Sequence, residues 1–273
     1  MSKLTKRILF AVPAGALFLY VTWIGGWFFA GLIILITLFI QRELSVISEK
    51  AGFKTDEYFP YTIGLLILLS PQLQYSLEIG LLIFLLFIGI QIFKKGDAGL
   101  KELVSTFFCG IYAPLGLVTL LMIREMGNTE MGFMLTISLL LMVWGNDIFA
   151  YFGGKTFGKH HLAPVISPNK TWEGFISGIL GALVGLATAV YLVPLSYPTS
   201  ILVMAPAALA TSIFGPIGDL TESRIKRAAN VKDASSILPG HGGLFDRFDA
   251  LIMAAPAFYL YLFVLKLLGY VSF

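Results

Sequence analysis

Residues 103–123 decide the fold class of this protein: they read LVSTFFCGIYAPLGLVTLLMI and contain no charged side chain. An α-helix needs about 20 mostly apolar residues to cross the hydrocarbon core of a bilayer. A membrane-spanning β-strand would instead alternate apolar with polar residues, and this stretch is apolar on every side. It therefore predicts a transmembrane helix.

The composition extends this interpretation to the whole chain. Of its 273 residues, 57% are hydrophobic and 13% are charged, about half of the roughly 25% found in an average soluble protein. Disorder does not fit such a hydrophobic chain with a net charge of only +3. The single cysteine, Cys109, excludes a disulfide-rich secreted scaffold. We predict an all-α, polytopic integral membrane protein.

Nine apolar segments are candidates for spanning helices. They centre on residues 8–25, 27–41, 59–76, 77–93, 103–123, 131–152, 174–193, 200–219 and 248–270. With the N-terminus and the even-to-odd connections on one side, all but two of the 19 Lys and Arg residues fall there, the exceptions being Arg124 and Lys266. Because cytoplasmic loops carry the excess of positive charge, the N-terminus is predicted to be cytoplasmic.

Two long connections, near residues 153–173 and 220–247, hold much of the remaining charge, and both are cytoplasmic in this topology. We therefore divide the chain into N-terminal transmembrane helices, 1–125, and a C-terminal catalytic region, 126–273. Basic residues alone would fit an ordinary cytoplasmic loop. Interleaved acidic residues fit it less well, because they contribute little to orientation. The clustering indicates a cytoplasmic site rather than a pore.

Each of the two connections lies in a polar block of sequence. The second block runs from Asp219 to Asp249 and reads DLTESRIKRAANVKDASSILPGHGGLFDRFD. Asp246 and Asp249 are three residues apart where the last helix begins, so both would project to one side. Carboxylate oxygens are the ligands that Mg²⁺ takes while it also holds substrate phosphates. For Asp246, the alternative is simple complementation of the helix dipole. The nearby basic residues suit phosphoryl chemistry, or equally the binding of anionic lipid headgroups.

The first polar block, from Asn146 to Gly174, begins inside an apolar helix with Asn146 and Asp147. An ionisable group within a membrane helix is a functional candidate by default, the alternative being a hydrogen bond between helices. Lys170 and Thr171 stand where the next helix starts. They could bind an anion there, or serve only as part of its cap.

Together the two blocks resemble the phosphatidate cytidylyltransferase (CDP-diacylglycerol synthase) family. The family signature has Ser, Lys-Arg, Lys-Asp, Pro-Gly-His-Gly-Gly and Asp-Arg-x-Asp at the spacings found here. Its positions in this chain are Ser223, Lys226, Arg227, Lys232, Asp233, Pro239, Gly240, His241, Gly242, Gly243, Asp246, Arg247 and Asp249. The earlier block is also similar, in Asp147, Ala150, Tyr151, Gly154, Phe157, Gly158, Lys159, Ser167, Pro168, Lys170, Thr171, Glu173 and Gly174. The N-terminal half matches only as generic membrane helices.

The resemblance implies an enzyme of phospholipid biosynthesis that joins CTP to phosphatidic acid, giving CDP-diacylglycerol and pyrophosphate. Its cofactor would be Mg²⁺, alone or with a second cation, and its site a hydrophilic cavity open to the cytoplasm and to lipid. The lipid phosphate would attack the α-phosphorus in line, so catalysis would consist mainly of positioning and electrostatics.

On this interpretation each candidate residue receives a role. Catalysis is assigned to Asp219, Asp246, Lys226, Arg227 and Lys170. Metal binding is assigned to Asp219, Asp246 and Asp249. Substrate binding is assigned to Asp147, Ser167, Thr171, Ser223, Lys232, Asp233, His241, Gly242, Gly243 and Arg247.

The expected partners are CTP, phosphatidic acid and the lipid bilayer, with no nucleic acid, and a homodimer is compatible with the family. The expected location is a prokaryotic inner membrane. Two other functions stay open on the residues alone: a CTP-using lipid kinase, and an ion-coupled transporter with Asp147 and Asp219 in its pathway. A CDP-alcohol phosphotransferase is disfavoured, because the D-G-x-x-A-R motif is absent.

Overall fold

The computed structural model describes residues 3–93, 99–192, 200–238 and 242–271. It is 79% helical, which confirms the predicted all-α class. The helices are α1 (Lys3–Ile24), α2 (Gly26–Lys50), α3 (Phe59–Leu69), α4 (Ser76–Phe93), α5 (Gly99–Arg124), α6 (Thr129–Phe157), α7 (Trp172–Leu192), α8 (Ile201–Ala228) and α9 (Phe245–Leu267). Between α6 and α7, strands β1 (His161–Ala163) and β2 (Ser167–Thr171) form an antiparallel hairpin.

Six of these helices are long and apolar enough to cross a membrane, namely α2, α5, α6, α7, α8 and α9. Helix α3 has 11 residues and rises only about 17 Å, roughly half the thickness of the hydrocarbon core. It ends at Leu69, and the next helix, α4, begins at Ser76. The sequence predicted one span over 59–76, and the total of nine spans stays a prediction.

Large apolar side chains are exposed on the outer faces of the helices. Trp27, Leu77, Leu100 and Leu202 each keep most of their surface accessible. An exposed apolar surface this extensive is unfavourable in water and favourable against lipid tails. Together with the six long apolar helices, it identifies the chain as an integral membrane protein.

The helices share one hydrophobic core, which contains buried residues from Phe29 in α2 to Leu265 in α9. Helix α5 packs against α2, α3, α6 and α9, so the N-terminal and C-terminal regions of the sequence meet along it. Helices α6 and α7 are in especially close contact. A Cβ atom on Gly145 would overlap the backbone carbonyl of Gly181, so these positions require the smallest residue.

Arg124, at the end of α5, holds one end of the bundle together. Its guanidinium donates hydrogen bonds to the backbone carbonyls of Thr22 (2.7 Å), Trp23 (3.0 Å) and Thr129 (3.1 Å). Gly25, which has a φ of 70°, makes room for it, since a Cβ atom there would overlap the guanidinium. We call this set of contacts the Arg124 clasp.

Candidate active site

Three carboxylates meet where α8 lies against the start of α9. One oxygen from each of Asp219, Glu222 and Asp249 lies within 4.8 Å of the others. Asp219 and Glu222 are three residues apart on α8 and therefore share a face. The two helices approach so closely that a Cβ atom on Gly218 would overlap the carbonyl of Asp249. We call these three residues the acidic cluster.

Lys226 joins this cluster to Asp246. Its Nζ lies 2.5 Å from Oε1 of Glu222 and 2.6 Å from Oδ1 of Asp246. The other oxygen of Asp246 accepts hydrogen bonds from the backbone N–H groups of Ala234 (3.0 Å) and Gly243 (2.7 Å). Asp246 was predicted to bind metal. In this structure both of its oxygens have protein donors, and it ties Lys226 to the loop before α9.

Lys170 brings the first polar block to the acidic cluster. Its Nζ lies 2.5 Å from Oδ2 of Asp219. The hairpin that carries Lys170 is held against α7 by Glu173, whose carboxylate is 2.6 Å from Nδ1 of His160 and also accepts the backbone N–H of Lys159 at 3.1 Å. Two segments about 50 residues apart in sequence therefore form one site.

A cavity of about 540 Å³ opens beside Lys170 and Asp219. Its lining includes Asp147, Tyr151, Lys155, Asn169 and Thr171. Asn146 lies at its buried edge, and its side-chain nitrogen has no hydrogen-bond partner among the described residues. The cavity thus presents lysines and carboxylates to whatever enters it.

Comparison with known proteins identifies the family. The model of the cytidylyltransferase family matches residues 5–265. The chain belongs to this family. Proteins named phosphatidate cytidylyltransferase are similar to it: one from Brucella abortus is 35% identical over 96% of this chain and 94% of its own length, and one from Bacillus subtilis is 35% identical over 95% and 97%. Another, from Haemophilus influenzae, is 44% identical over 49% of this chain and 48% of its own.

The family match sharpens two statements made from sequence. The predicted resemblance is confirmed, and the protein is an enzyme of the nucleotidyltransferase kind. The match also covers the N-terminal helices, which by themselves resembled only generic membrane segments. They are therefore part of the chain that the family has in common.

The other residues assigned to substrate binding lie in different surroundings. Thr171 lines the cavity, and its hydroxyl also accepts the N–H of Gly174 at 3.1 Å, so it takes part in the start of α7. Ser223 donates a long hydrogen bond of 3.5 Å to Asp219. Ser167 is paired with Ala163 in the hairpin.

The remaining predicted residues surround the end of α8 and the loop before α9. The side chains of four of them are exposed, namely Arg227, Lys232, Asp233 and Arg247. Gly242 has a φ of 82°, which favours glycine, and a Cβ atom there would come 2.6 Å from Oδ2 of Asp246. His241 lies outside the described residues, as do Pro239 and Gly240.

Glu222 is the member of the site that the sequence interpretation missed. It is 2% exposed, three residues from Asp219 and four from Lys226. A carboxylate on the same helix face as both of them was a usable signal, because residues at these spacings are neighbours.

Proposed function

We propose that this protein transfers the cytidylyl group of CTP to phosphatidic acid, giving CDP-diacylglycerol and pyrophosphate for phospholipid synthesis. The observation that carries the proposal is the acidic cluster with Lys170 and Lys226 beside a cavity, in a membrane protein of the cytidylyltransferase family. The full-length similarity to proteins named phosphatidate cytidylyltransferase supports this choice of substrates.

The lysines address the main obstacle to this reaction. Phosphatidic acid already carries a phosphate oxygen that can act as nucleophile, so no side chain needs to form a covalent intermediate. The difficulty is the repulsion between two polyanions. Lys170, at the cavity, would bind phosphate oxygens of CTP and hold the α-phosphorus for in-line attack. Lys226 would compensate charge from beneath the acidic cluster.

The acidic cluster fits a divalent cation. Mg²⁺ prefers oxygen ligands, and in enzymes it is commonly bound by carboxylates of the protein and phosphates of the substrate together. Asp219, Glu222 and Asp249 bring one carboxylate oxygen each within 4.8 Å of one another, close enough for a single ion to contact all three. When bound, Mg²⁺ would supply charge neutralisation and orientation of the phosphates.

The proposed ligands differ in one position from those expected from sequence. Asp219 and Asp249 keep their predicted role, and Glu222 joins them as a third ligand. The metal role predicted for Asp246 stays a prediction. In the arrangement described here, Asp246 instead holds Lys226 and the loop before α9.

The proposed location is the inner membrane of a bacterium, with the site facing the cytoplasm. The bacterial relatives and the one-sided distribution of Lys and Arg support it. An active site at the cytoplasmic face would have direct access to CTP. A homodimer stays a prediction.

Purified protein incubated with CTP, phosphatidic acid and Mg²⁺, followed by lipid chromatography, tests the proposed function. We expect a liponucleotide and one pyrophosphate for each molecule formed. Release of CDP with a phosphorylated lipid alcohol would indicate the lipid kinase instead. Absence of liponucleotide across a range of cation and detergent conditions would overturn the proposal, and solute flux in liposomes without CTP turnover would favour the transporter.

A further inference from the structure

A carboxylate from the N-terminal part of the chain lies beside the loop before α9. Glu43, on α2, is 2% exposed. Its Oε1 accepts hydrogen bonds from the hydroxyl of Ser235 (2.5 Å) and the N–H of Leu244 (3.0 Å), and its Oε2 accepts the N–H of Phe245 (2.7 Å). These partners are 192 to 202 residues away in sequence.

Glu43 acts as the N-terminal cap of α9. The first N–H groups of a helix lack partners within it, and the residue at the cap position, Leu244, offers no side-chain hydrogen bond. Glu43 supplies the missing acceptor from another helix. Its negative charge also suits the positive end of the helix dipole.

The same helix start carries site residues. Asp246 lies in the first turn of α9, and Asp249 follows three residues later. Ser235, which binds Glu43, is adjacent to Ala234, whose N–H binds Asp246. The chain passes so close to Glu43 that a Cβ atom on Gly243 would come 2.5 Å from its Oε1. One buried carboxylate therefore fixes the loop and the helix start together.

We infer that Glu43 is a positioning residue, which sets the geometry of Asp246 and Asp249 by anchoring the start of α9 to α2. The inference rests on the proposed function. Glu43 does not line the cavity, so it acts through α9 and not by touching substrate. Its role requires an acceptor at both oxygens, because three donors point at the carboxylate. A glutamine would turn an N–H₂ group towards one of them and leave a buried donor unpaired.

The test compares Glu43→Gln and Glu43→Asp with Glu49→Gln, a control on the exposed face of the same helix. Initial rates of CDP-diacylglycerol formation are measured against Mg²⁺ concentration. We expect Glu43→Gln to lower kcat and to raise the Mg²⁺ concentration that gives the half-maximal rate. The ratio of kcat to that Mg²⁺ concentration should fall about 10- to 100-fold. Glu43→Asp keeps the charge, so its kcat and Mg²⁺ dependence should lie between those of Glu43→Gln and wild type. Both quantities should equal the wild-type values in Glu49→Gln.

Hydrogen exchange gives a second readout that is independent of activity. In Glu43→Gln, the amides of Leu244 and Phe245 should exchange faster while those of α6 and α7 are unchanged. Ser235→Ala removes one donor and leaves the two backbone bonds, so it should shift the Mg²⁺ dependence in the same direction by less. It also keeps the inference testable if Glu43→Gln fails to fold.

Two results would overturn the inference. One is wild-type kinetics in Glu43→Gln. The other is a loss of rate that follows only the folded fraction, with the Mg²⁺ dependence unchanged in Glu43→Gln and in Ser235→Ala. Failure of the proposed function is a different outcome, because wild type and Glu49→Gln would then also form no liponucleotide.

Discussion

Lys226 and Arg124 are two basic side chains that the helices bury at opposite ends of the bundle, and they have different partners. Arg124 is 4% exposed and binds three backbone carbonyls. The side chain of Lys226 is 12% exposed and lies between two carboxylates. Gly25, which caps the start of α2 at the Arg124 clasp, and Glu43, on α2 beside the loop before α9, are separated by a helical rise of about 27 Å. This rise is close to the thickness of a bilayer core.

The identity of the partners separates a structural cation from one that belongs to a site. The Arg124 clasp joins the guanidinium to three backbone carbonyls, which are neutral and held in place by the chain. The partners of Lys226 are instead ionisable carboxylates, and one of them, Glu222, belongs to the acidic cluster, whose Asp219 lines the cavity. Burial alone would have ranked Arg124 above Lys226 as a functional candidate.

The largest expected effect is that of Asp246→Asn at the Lys226 end. The substitution removes the charge that holds Lys226, and the new N–H₂ group faces the donors of Ala234 or Lys226. We expect loss of CTP- and Mg²⁺-dependent CDP-diacylglycerol formation by about 10³-fold or more. The protein should remain folded in detergent, as judged by size-exclusion chromatography. Turnover near that of wild type would refute the place of Asp246 in the site.

The corresponding change at the other end, Arg124→Ala, should affect stability instead of catalysis. Each buried carbonyl left without its donor costs about 1–3 kcal/mol, so the melting temperature in detergent should fall clearly. The kcat of the folded enzyme should not change, since the clasp is remote from the cavity. If kcat fell while the melting temperature stayed constant, Arg124 would have a role in catalysis, and its assignment as a structural cation would be wrong.

The smallest expected effect is that of Ser223→Ala, beside the acidic cluster. Among the described residues, the side chain of Ser223 makes one hydrogen bond, of 3.5 Å, to Asp219 on its own helix. A bond this long is worth at most about 0.5 kcal/mol, so kcat/KM should change by about twofold. A loss of 100-fold would show instead that Ser223 contacts substrate, as the sequence interpretation predicted.

The sequence predicted helices well and their limits less well. The stretch 103–123 lies within α5, and the other long apolar runs also became helices. The predicted segment 59–76 was too long, because α3 ends at Leu69 and α4 begins at Ser76. Apolarity is a local property that the sequence shows directly, whereas the end of a helix depends on single residues within an otherwise uniform run.

The candidate site was partly visible in the sequence, because Asp219, Lys226, Asp246 and Asp249 lie within 31 consecutive positions. The pair Lys170–Asp219 was not visible, since it joins two separate segments. Glu43 gave no signal at all. An acidic residue near the end of an apolar helix looks like any other interfacial charge until its partners are known.

By itself, the sequence determined that this chain lies in a membrane, where its helices run and which short stretches carry the chemistry. Hydrophobicity accumulates along consecutive residues, and a bilayer selects it by length. Only the tertiary structure decided which carboxylates bind Lys226, which cation is structural and which helix caps α9. Acidic residues are chemically alike in sequence, and their roles depend on the helix ends that packing brings within hydrogen-bonding distance.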